Sequence, residues 1–203
     1  MEYVTTWFYD VLSFFGLYYK DAKVLFLGLD GAGKTTLLKV LKNGKVDKMA
    51  EPTTHAGKEE LVYGSLKIEA HDLGGHAGVR RGWKEFFFDV DGVIFIVDSV
   101  DRDRFPEAKA ALDGLLGSER LASVPFLVLG NKIDVPSSAG DAELRAGIGL
   151  METTGTDPEA TKSTGVRPIE LFLVSITKKT NIKPAFDWLS AYLKRQVPGA
   201  SHF

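Results

Sequence analysis

No cysteine occurs among the 203 residues. Its absence excludes disulfides, thiolate metal sites, S-palmitoylation and prenylation together, and it suits a cytosolic chain. An excess of charge of one sign is lacking too: 25 basic and 27 acidic residues give a formal net charge of -2. Nucleic acid is therefore not an expected partner. No apolar run reaches the roughly 20 residues that a bilayer span requires. The aromatic-rich segment Met1–Tyr19 is too short and too polar to span, and Asp10 interrupts it. No basic region precedes it, so it does not read as a secretory signal either. A soluble or peripheral protein is expected. Internal repeats are absent, and 44% hydrophobic residues in a chain of this length supply one core of ordinary size.

What is present is an alternation of short apolar runs with helical patterns. Lys23–Gly28 reads as a buried strand, followed by a glycine-rich turn and a helix from about Lys34 to Leu41. Glu59–Tyr63 and Leu66–Asp72 read as a hairpin with Gly64-Ser65 at its turn. The continuous apolar run Val93–Val97 suits a central parallel strand covered on both faces. A helix begins near Phe105-Pro106, where proline fits a first turn, and runs to about Leu116. Pro125–Gly130 and Ile169–Ile176 read as strands, Asp141–Leu150 and Pro184–Arg195 as helices. The polar, threonine-rich stretch Thr153–Arg167 reads as an exposed inserted loop. This alternation predicts an α/β doubly wound, mostly parallel six-stranded sheet with helices on both faces and ligands at the carboxyl ends of the strands. The expected division is an N-terminal helix over 1–19, a nucleotide-binding domain over 20–195 and a tail over 196–203.

Three motifs carry the chemistry. Gly28-Leu29-Asp30-Gly31-Ala32-Gly33-Lys34-Thr35 matches the phosphate-binding loop G-x-x-x-x-G-K-[ST], placed between a strand and a helix as that motif demands. Its glycines let successive backbone N–H groups face phosphate, and the helix that continues through Thr36 adds its positive end. Lys34 can reach the β- and γ-phosphates, and the Thr35 hydroxyl can bind Mg²⁺. Asp72-Leu73-Gly74-Gly75 follows an apolar strand, so Asp72 can hold Mg²⁺ directly or through water while the Gly75 N–H senses the γ-phosphate. Between these motifs, Glu51-Pro52-Thr53-Thr54 offers a loop threonine for the same metal, Thr53 first and Thr54 second.

Asn131-Lys132-Ile133-Asp134 follows the next strand. The Asp134 carboxylate can accept from N1–H and the 2-amino group of guanine, and adenine would leave it facing a lone pair. Lys132 can lie along the base, Asn131 can tie this loop to the phosphate loop, and Ser175-Ile176-Thr177 is placed to offer backbone N–H to guanine O6. Together the motifs predict a GTP- and GDP-binding protein that holds Mg²⁺. Catalysis would consist of positioning and charge stabilisation, with His76 beside Gly75 orienting the attacking water.

Asp30, Asp72-Leu73-Gly74-Gly75-His76, Arg80-Arg81-Gly82-Trp83, Gly130–Asp134, Glu143-Leu144-Arg145 and Asp187-Trp188-Leu189 resemble the Arf family of Ras-like GTPases. From about Trp7 to Leu193 the resemblance is to the Sar type in particular. Glu2 in place of glycine rules out N-myristoylation. His76 where Arf proteins carry glutamine, and the insertion Thr153–Arg167, point the same way. The chain departs from the pattern at Ala56-Gly57, where the family has Pro-Thr, at Gly31 in place of Asn, and in a longer C-terminal segment from Lys194 to Phe203.

The resemblance implies a cytosolic GDP form and a GTP form on the endoplasmic reticulum membrane. The GTP form would recruit the inner COPII coat heterodimer for transport toward the Golgi. One coat subunit would act as the GTPase-activating protein and supply an arginine, and a membrane-bound exchange factor would load GTP. Arg80 and Arg81 are then switch II or coat contacts and not a finger in cis. An Arf-like GTPase of another membrane, a pseudo-GTPase binding module and a P-loop small-molecule kinase are the competing readings. Within Met1–Tyr19, Val4, Trp7, Phe8, Val11, Phe15 and Tyr18 fall within an arc of about 100° on a helix, with Thr6, Asp10 and Ser13 outside it. That pattern predicts an amphipathic anchor in membrane lipids, or a helix packed on the domain surface.

Overall fold

The structure is a computed structural model that describes residues 20–43, 57–63, 66–162 and 164–193. The helix expected over 1–19 with its six apolar positions, the Thr53-Thr54 pair, the Gly64-Ser65 turn and the tail over 196–203 lie outside the described residues.

Six strands form one sheet in the order β2-β3-β1-β4-β5-β6. They are β1 Lys20–Gly28, β2 Gly57–Tyr63, β3 Leu66–Asp72, β4 Gly92–Asp98, β5 Phe126–Asn131 and β6 Ile169–Leu173. All neighbours run parallel except β2 and β3, which pair antiparallel as the hairpin pattern requires. The middles of the central strands are continuously apolar because both faces are covered. Alternation then sorts them: Val24 and Phe26 of β1, Ile94 and Ile96 of β4, and Leu127 and Leu129 of β5 enter one core. Leu25 and Leu27, Val93 and Phe95, and Phe126 and Val128 enter the other.

Helices close both faces. On the first lie α1 (Lys34–Asn43), through Leu37, Leu38 and Val40, and the last helix, which contributes Ile182, Phe186, Trp188 and Leu189. On the second lie α2 (Ala77–Arg80), the 3₁₀ segment Arg81–Phe86 with Trp83, α3 (Phe105–Leu116) and α4 (Asp141–Ile148). Pro106 sits in the first turn of α3, where its missing N–H costs no helical hydrogen bond. Among the described residues no helix is long and apolar enough to cross a membrane.

Four expectations are corrected. Helix α4 stops at Ile148 and not at Leu150, because Gly149 takes φ 70° and its N–H turns back to Ala146 and Arg145. Strand β6 ends at Leu173, short of Ile176, and the chain turns so that Ser175 and Thr180 bridge. The last helix, α6 (Ile182–Tyr192) once the short α5 (Pro158–Lys162) is counted, opens two residues before Pro184 and ends at Tyr192.

The inserted stretch, expected as an exposed loop, is tied down instead. It contains α5, and Thr161 within it is buried. Thr153 Oγ1 donates to Glu170 Oε2 at 2.8 Å, and Arg145 Nη2 reaches Glu170 Oε1 at 2.8 Å. Trp188 Nε1 donates to the Gly155 carbonyl at 3.1 Å. Glu170 is only 3% exposed, and a carboxylate so buried is tolerable only because it is paired and hydrogen-bonded.

Candidate nucleotide site

The carboxyl ends of β1, β3, β4 and β5 bring the motifs together along one rim of the sheet. After β1 the phosphate loop turns tightly into α1. Lys34 is buried, and its Nζ donates to the carbonyls of Gly28 at 3.0 Å and Leu29 at 2.9 Å. Burial lowers its pKa to about 8 against the opposing pull of Asp72 and Asp30. Asp30, Gly31, Ala32 and Gly33 form the turn itself, and Thr36 stands half-buried on the first turn of α1.

Thr35 Oγ1 donates to Asp72 Oδ2 at 2.6 Å, so the hydroxyl and carboxylate expected to share a cation are already in contact. Both are hard oxygen donors, and Asp72 is 5% exposed. Among the described residues no cluster of three or more His, Cys, Asp or Glu could hold a metal by itself. The Thr35 hydroxyl and Asp72 carboxylate are a donor pair that fits Mg²⁺, which takes one or two protein oxygens and completes its shell with phosphate and water.

The Asp72–Gly75 run packs directly on the phosphate loop. A Cβ at Gly75 would fall 2.2 Å from the Asp30 nitrogen and 2.6 Å from the Gly28 carbonyl, so only glycine permits this approach. Trp83 Nε1 donates to the Gly74 carbonyl at 3.1 Å, anchoring the run from the helical side. His76 is exposed and caps α2: its Nδ1 accepts from the Gly78 N–H at 3.3 Å. With Nδ1 accepting, a neutral ring carries its proton on Nε2. Arg80 pairs with Glu107 on α3, and Arg81 is exposed.

The base end is held by hydrogen bonds between distant segments. Asn131 Nδ2 donates to the Ala32 carbonyl at 2.8 Å, and its Oδ1 accepts from the Ile176 N–H at 3.1 Å. One buried side chain thus joins the phosphate loop, the end of β5 and the loop after β6. Asp134 accepts from Ser175 Oγ at 2.6 Å and from Thr177 Oγ1 at 3.3 Å. The Ser175 bond holds the Asp134 carboxyl below the usual carboxylate range. Lys132, at φ 74°, pairs with Asp98 Oδ2 at 2.5 Å.

Of the Ser175-Ile176-Thr177 backbone expected to offer N–H to guanine O6, two N–H groups are bonded within the protein. Ser175 N–H goes to the Thr180 carbonyl and Ile176 N–H to Asn131. What the sequence reading missed is the Ser175 hydroxyl, which holds the Asp134 carboxylate expected to read a base. It also missed Arg104, which binds Asp30 of the phosphate loop across 74 positions of sequence. A hydroxyl after a strand, and an arginine preceding a helix, carry no signal of such partners on their own.

These features define a P-loop nucleotide-binding domain of the small GTPase kind. A model of the ADP-ribosylation factor family matches residues 8–193. The small COPII coat GTPase SAR1 of Giardia intestinalis is 38% identical over 187 residues, covering 92% of this chain and 97% of that protein. Its counterpart from Nicotiana tabacum is 39% identical over 201 residues, covering 95% and 100%. ADP-ribosylation factor-like protein 1 of Drosophila melanogaster is 37% identical over 186 residues, covering 91% and 97%. Among solved structures, the Arl6 small GTPase of Trypanosoma brucei, determined with a bound GTP analogue, superposes with a TM-score of 0.72 at 28% identity, covering 87% of this chain and 99% of that one. The chain belongs to the ADP-ribosylation factor family, and like that family it is a GTPase acting on GTP to give GDP.

Proposed function

We propose that this GTPase is the switch that starts COPII coat assembly on the endoplasmic reticulum membrane. The likeness to SAR1 proteins over more than nine-tenths of the chain supports this reading. The observation that carries the nucleotide chemistry is Asn131, which links the phosphate loop to the base-reading loops with one side chain.

In this reading Asp134 selects guanine, held in place by Ser175, while Lys132 flanks the base. Asp30, Gly31, Ala32, Gly33, Lys34, Thr35 and Thr36 cradle the phosphates. Thr35 and Asp72 hold Mg²⁺ with Thr53 joining them, and Mg²⁺ when bound neutralises charge on the β- and γ-phosphates. The Gly75 N–H contacts the γ-phosphate, and its tight seat on the phosphate loop makes that contact sensitive to phosphate loss. His76 donates from Nε2 to the attacking water. Hydrolysis is slow until a coat subunit supplies an arginine in trans, since Arg80 is engaged by Glu107.

Residues 1–19 insert into membrane lipid in the GTP state. A membrane-bound exchange factor loads the nucleotide on the cytosolic face of the endoplasmic reticulum. An Arf-like GTPase of another membrane is the second reading, because factor-like proteins reach similar identity.

Liposome flotation with GDP against a non-hydrolysable GTP analogue tests both. The wild-type chain should float with the analogue and bring the inner coat heterodimer with it. Deleting residues 1–19 should abolish flotation with nucleotide affinity little changed. Flotation without coat would select the second reading, and full flotation of the truncated chain would refute the anchor.

A further inference from the structure

Asp30 places a carboxylate in the loop that must cradle phosphates. Its backbone nitrogen lies where a Cβ of Gly75 would fall, at 2.2 Å. On the reading above, which makes Gly75 the γ-phosphate contact, Asp30 lies at the most highly charged end of the triphosphate. An unbalanced carboxylate there would repel GTP more than GDP, because GDP carries no γ-phosphate.

The counter-charge comes from Arg104, in the 3₁₀ turn Arg102–Arg104 that leads into α3. Its Nη2 binds Asp30 Oδ1 at 2.8 Å and its Nη1 donates to the Asp30 carbonyl at 3.1 Å. The opposite edge of the guanidinium is fixed by Glu107, with Nε at 2.8 Å from Oε2. Glu107 in turn holds Arg80 of α2. The planar fork thus grips both the side chain and the backbone of one phosphate-loop residue, which a lysine could not do in the same way.

We propose that Arg104 is a positioning residue that neutralises Asp30, turns its carboxylate away from the γ-phosphate and thereby sets the preference for GTP over GDP. The Asp30 carboxyl, held below its ordinary range chiefly by the Arg104 bond, agrees with this. Both side chains are partly exposed, at 32% and 44%, so screening limits the effect to a modest one.

The test is the ratio of GTP to GDP affinity, read by titration of fluorescent nucleotides with Mg²⁺ present. Arg104→Gln should lower this ratio about threefold to fivefold while GDP affinity changes less than about twofold. Adding Asp30→Asn in that background should restore the ratio, because the charge that needed balancing is gone. Adding Glu107→Gln instead should not restore it, which separates a local pair from a change of net charge. Should Arg104→Gln fail to fold, Arg104→Lys keeps a cation and should show a smaller drop, again reversed by Asp30→Asn.

Equal loss of both nucleotides, or no recovery with Asp30→Asn, would overturn the proposal and leave the site reading standing. A wild-type protein that bound neither nucleotide would overturn the site reading and this proposal with it.

Discussion

The two ends of the site are held in place by different means. At the base end, Asn131 and Asp134 accept and donate within a web of protein hydrogen bonds that involve Ala32, Ile176, Ser175 and Thr177. Those bonds favour the charged form of Asp134, so this end adds to stability. At the phosphate end, a buried lysine leans on carbonyls of its own loop and a threonine hydroxyl rests on a buried aspartate. Burial there disfavours the charge that the chemistry needs. In the proposed reading, the base end reads through groups already fixed by protein hydrogen bonds, and the phosphate end holds a buried charge that gains most from its ligand. That contrast is what a switch requires: identity read by fixed groups, and state read by groups that respond.

The contrast makes the base end the most damaging place for a single change of hydrogen-bonding sense. Asp134→Asn replaces an acceptor by a donor while leaving the geometry near that of the parent. Preference for GTP over XTP should invert, by roughly 10³-fold or more, since a mismatched polar pair inside a built site is rejected strongly. Unchanged preference in competition binding would remove Asp134 from the base site.

Next in size is Thr35→Asn at the other end. It loses the hydroxyl that meets Asp72 and should cost GTP roughly 100-fold more than GDP, because the γ-phosphate depends most on Mg²⁺. Equal losses would mean that Thr35 serves the loop and not the metal.

Most of the fold could be read from the chain because local pattern and tertiary need agree. The run Val93–Val97 is apolar throughout since β4 lies between β1 and β5 with both faces covered. Phe105-Pro106 opens α3 where expected, because a fixed proline φ suits a first turn. The phosphate loop and Asn131–Asp134 were legible for a similar reason: each is a contiguous string whose spacing the chemistry dictates.

What was not legible depends on partners far apart in sequence. Glu170 looks like a charge out of place in a strand until Arg145 and Thr153 meet it. The order of the inserted stretch follows from those same contacts. Backbone N–H groups of Ser175 and Ile176 read as free in a sequence, yet the turn after β6 engages the first through Thr180 and the end of β5 engages the second through Asn131.

His76 follows Asp134 and Thr35 in expected effect. Its ring caps α2 through Nδ1, so a glycine there removes a cap as well as a donor. GTP binding should change little, and single-turnover hydrolysis should fall roughly a hundredfold, the lower end of the range for a positioned proton donor or acceptor. His76→Asn separates the roles, since asparagine can cap the helix but does not place the same donor at Nε2. Hydrolysis restored to the parent rate by asparagine would reduce His76 to a cap.

The smallest effect tests the buried charge at the phosphate end directly. Lys34 has its folded pKa lowered from 10.5 to about 8, so between those values the unfolded chain holds more protons than the folded one. Stability then rises with pH across that window, and below about 8 the folded protein carries the full cost of a buried ammonium. The shift corresponds to about 3 kcal/mol as an upper limit, and relaxation around the site should reduce it to roughly 1–2 kcal/mol. Lys34→Met keeps the length of the side chain without the charge. Nucleotide-free Lys34→Met should therefore be more stable than the parent at pH 7, with the gap closing toward pH 10.5, as followed by urea unfolding. Its affinity for GTP should be lost over the whole range. A variant less stable than the parent at pH 7 would show that the carbonyls of Gly28 and Leu29 fully compensate the buried charge, and the phosphate end would then be as well satisfied as the base end.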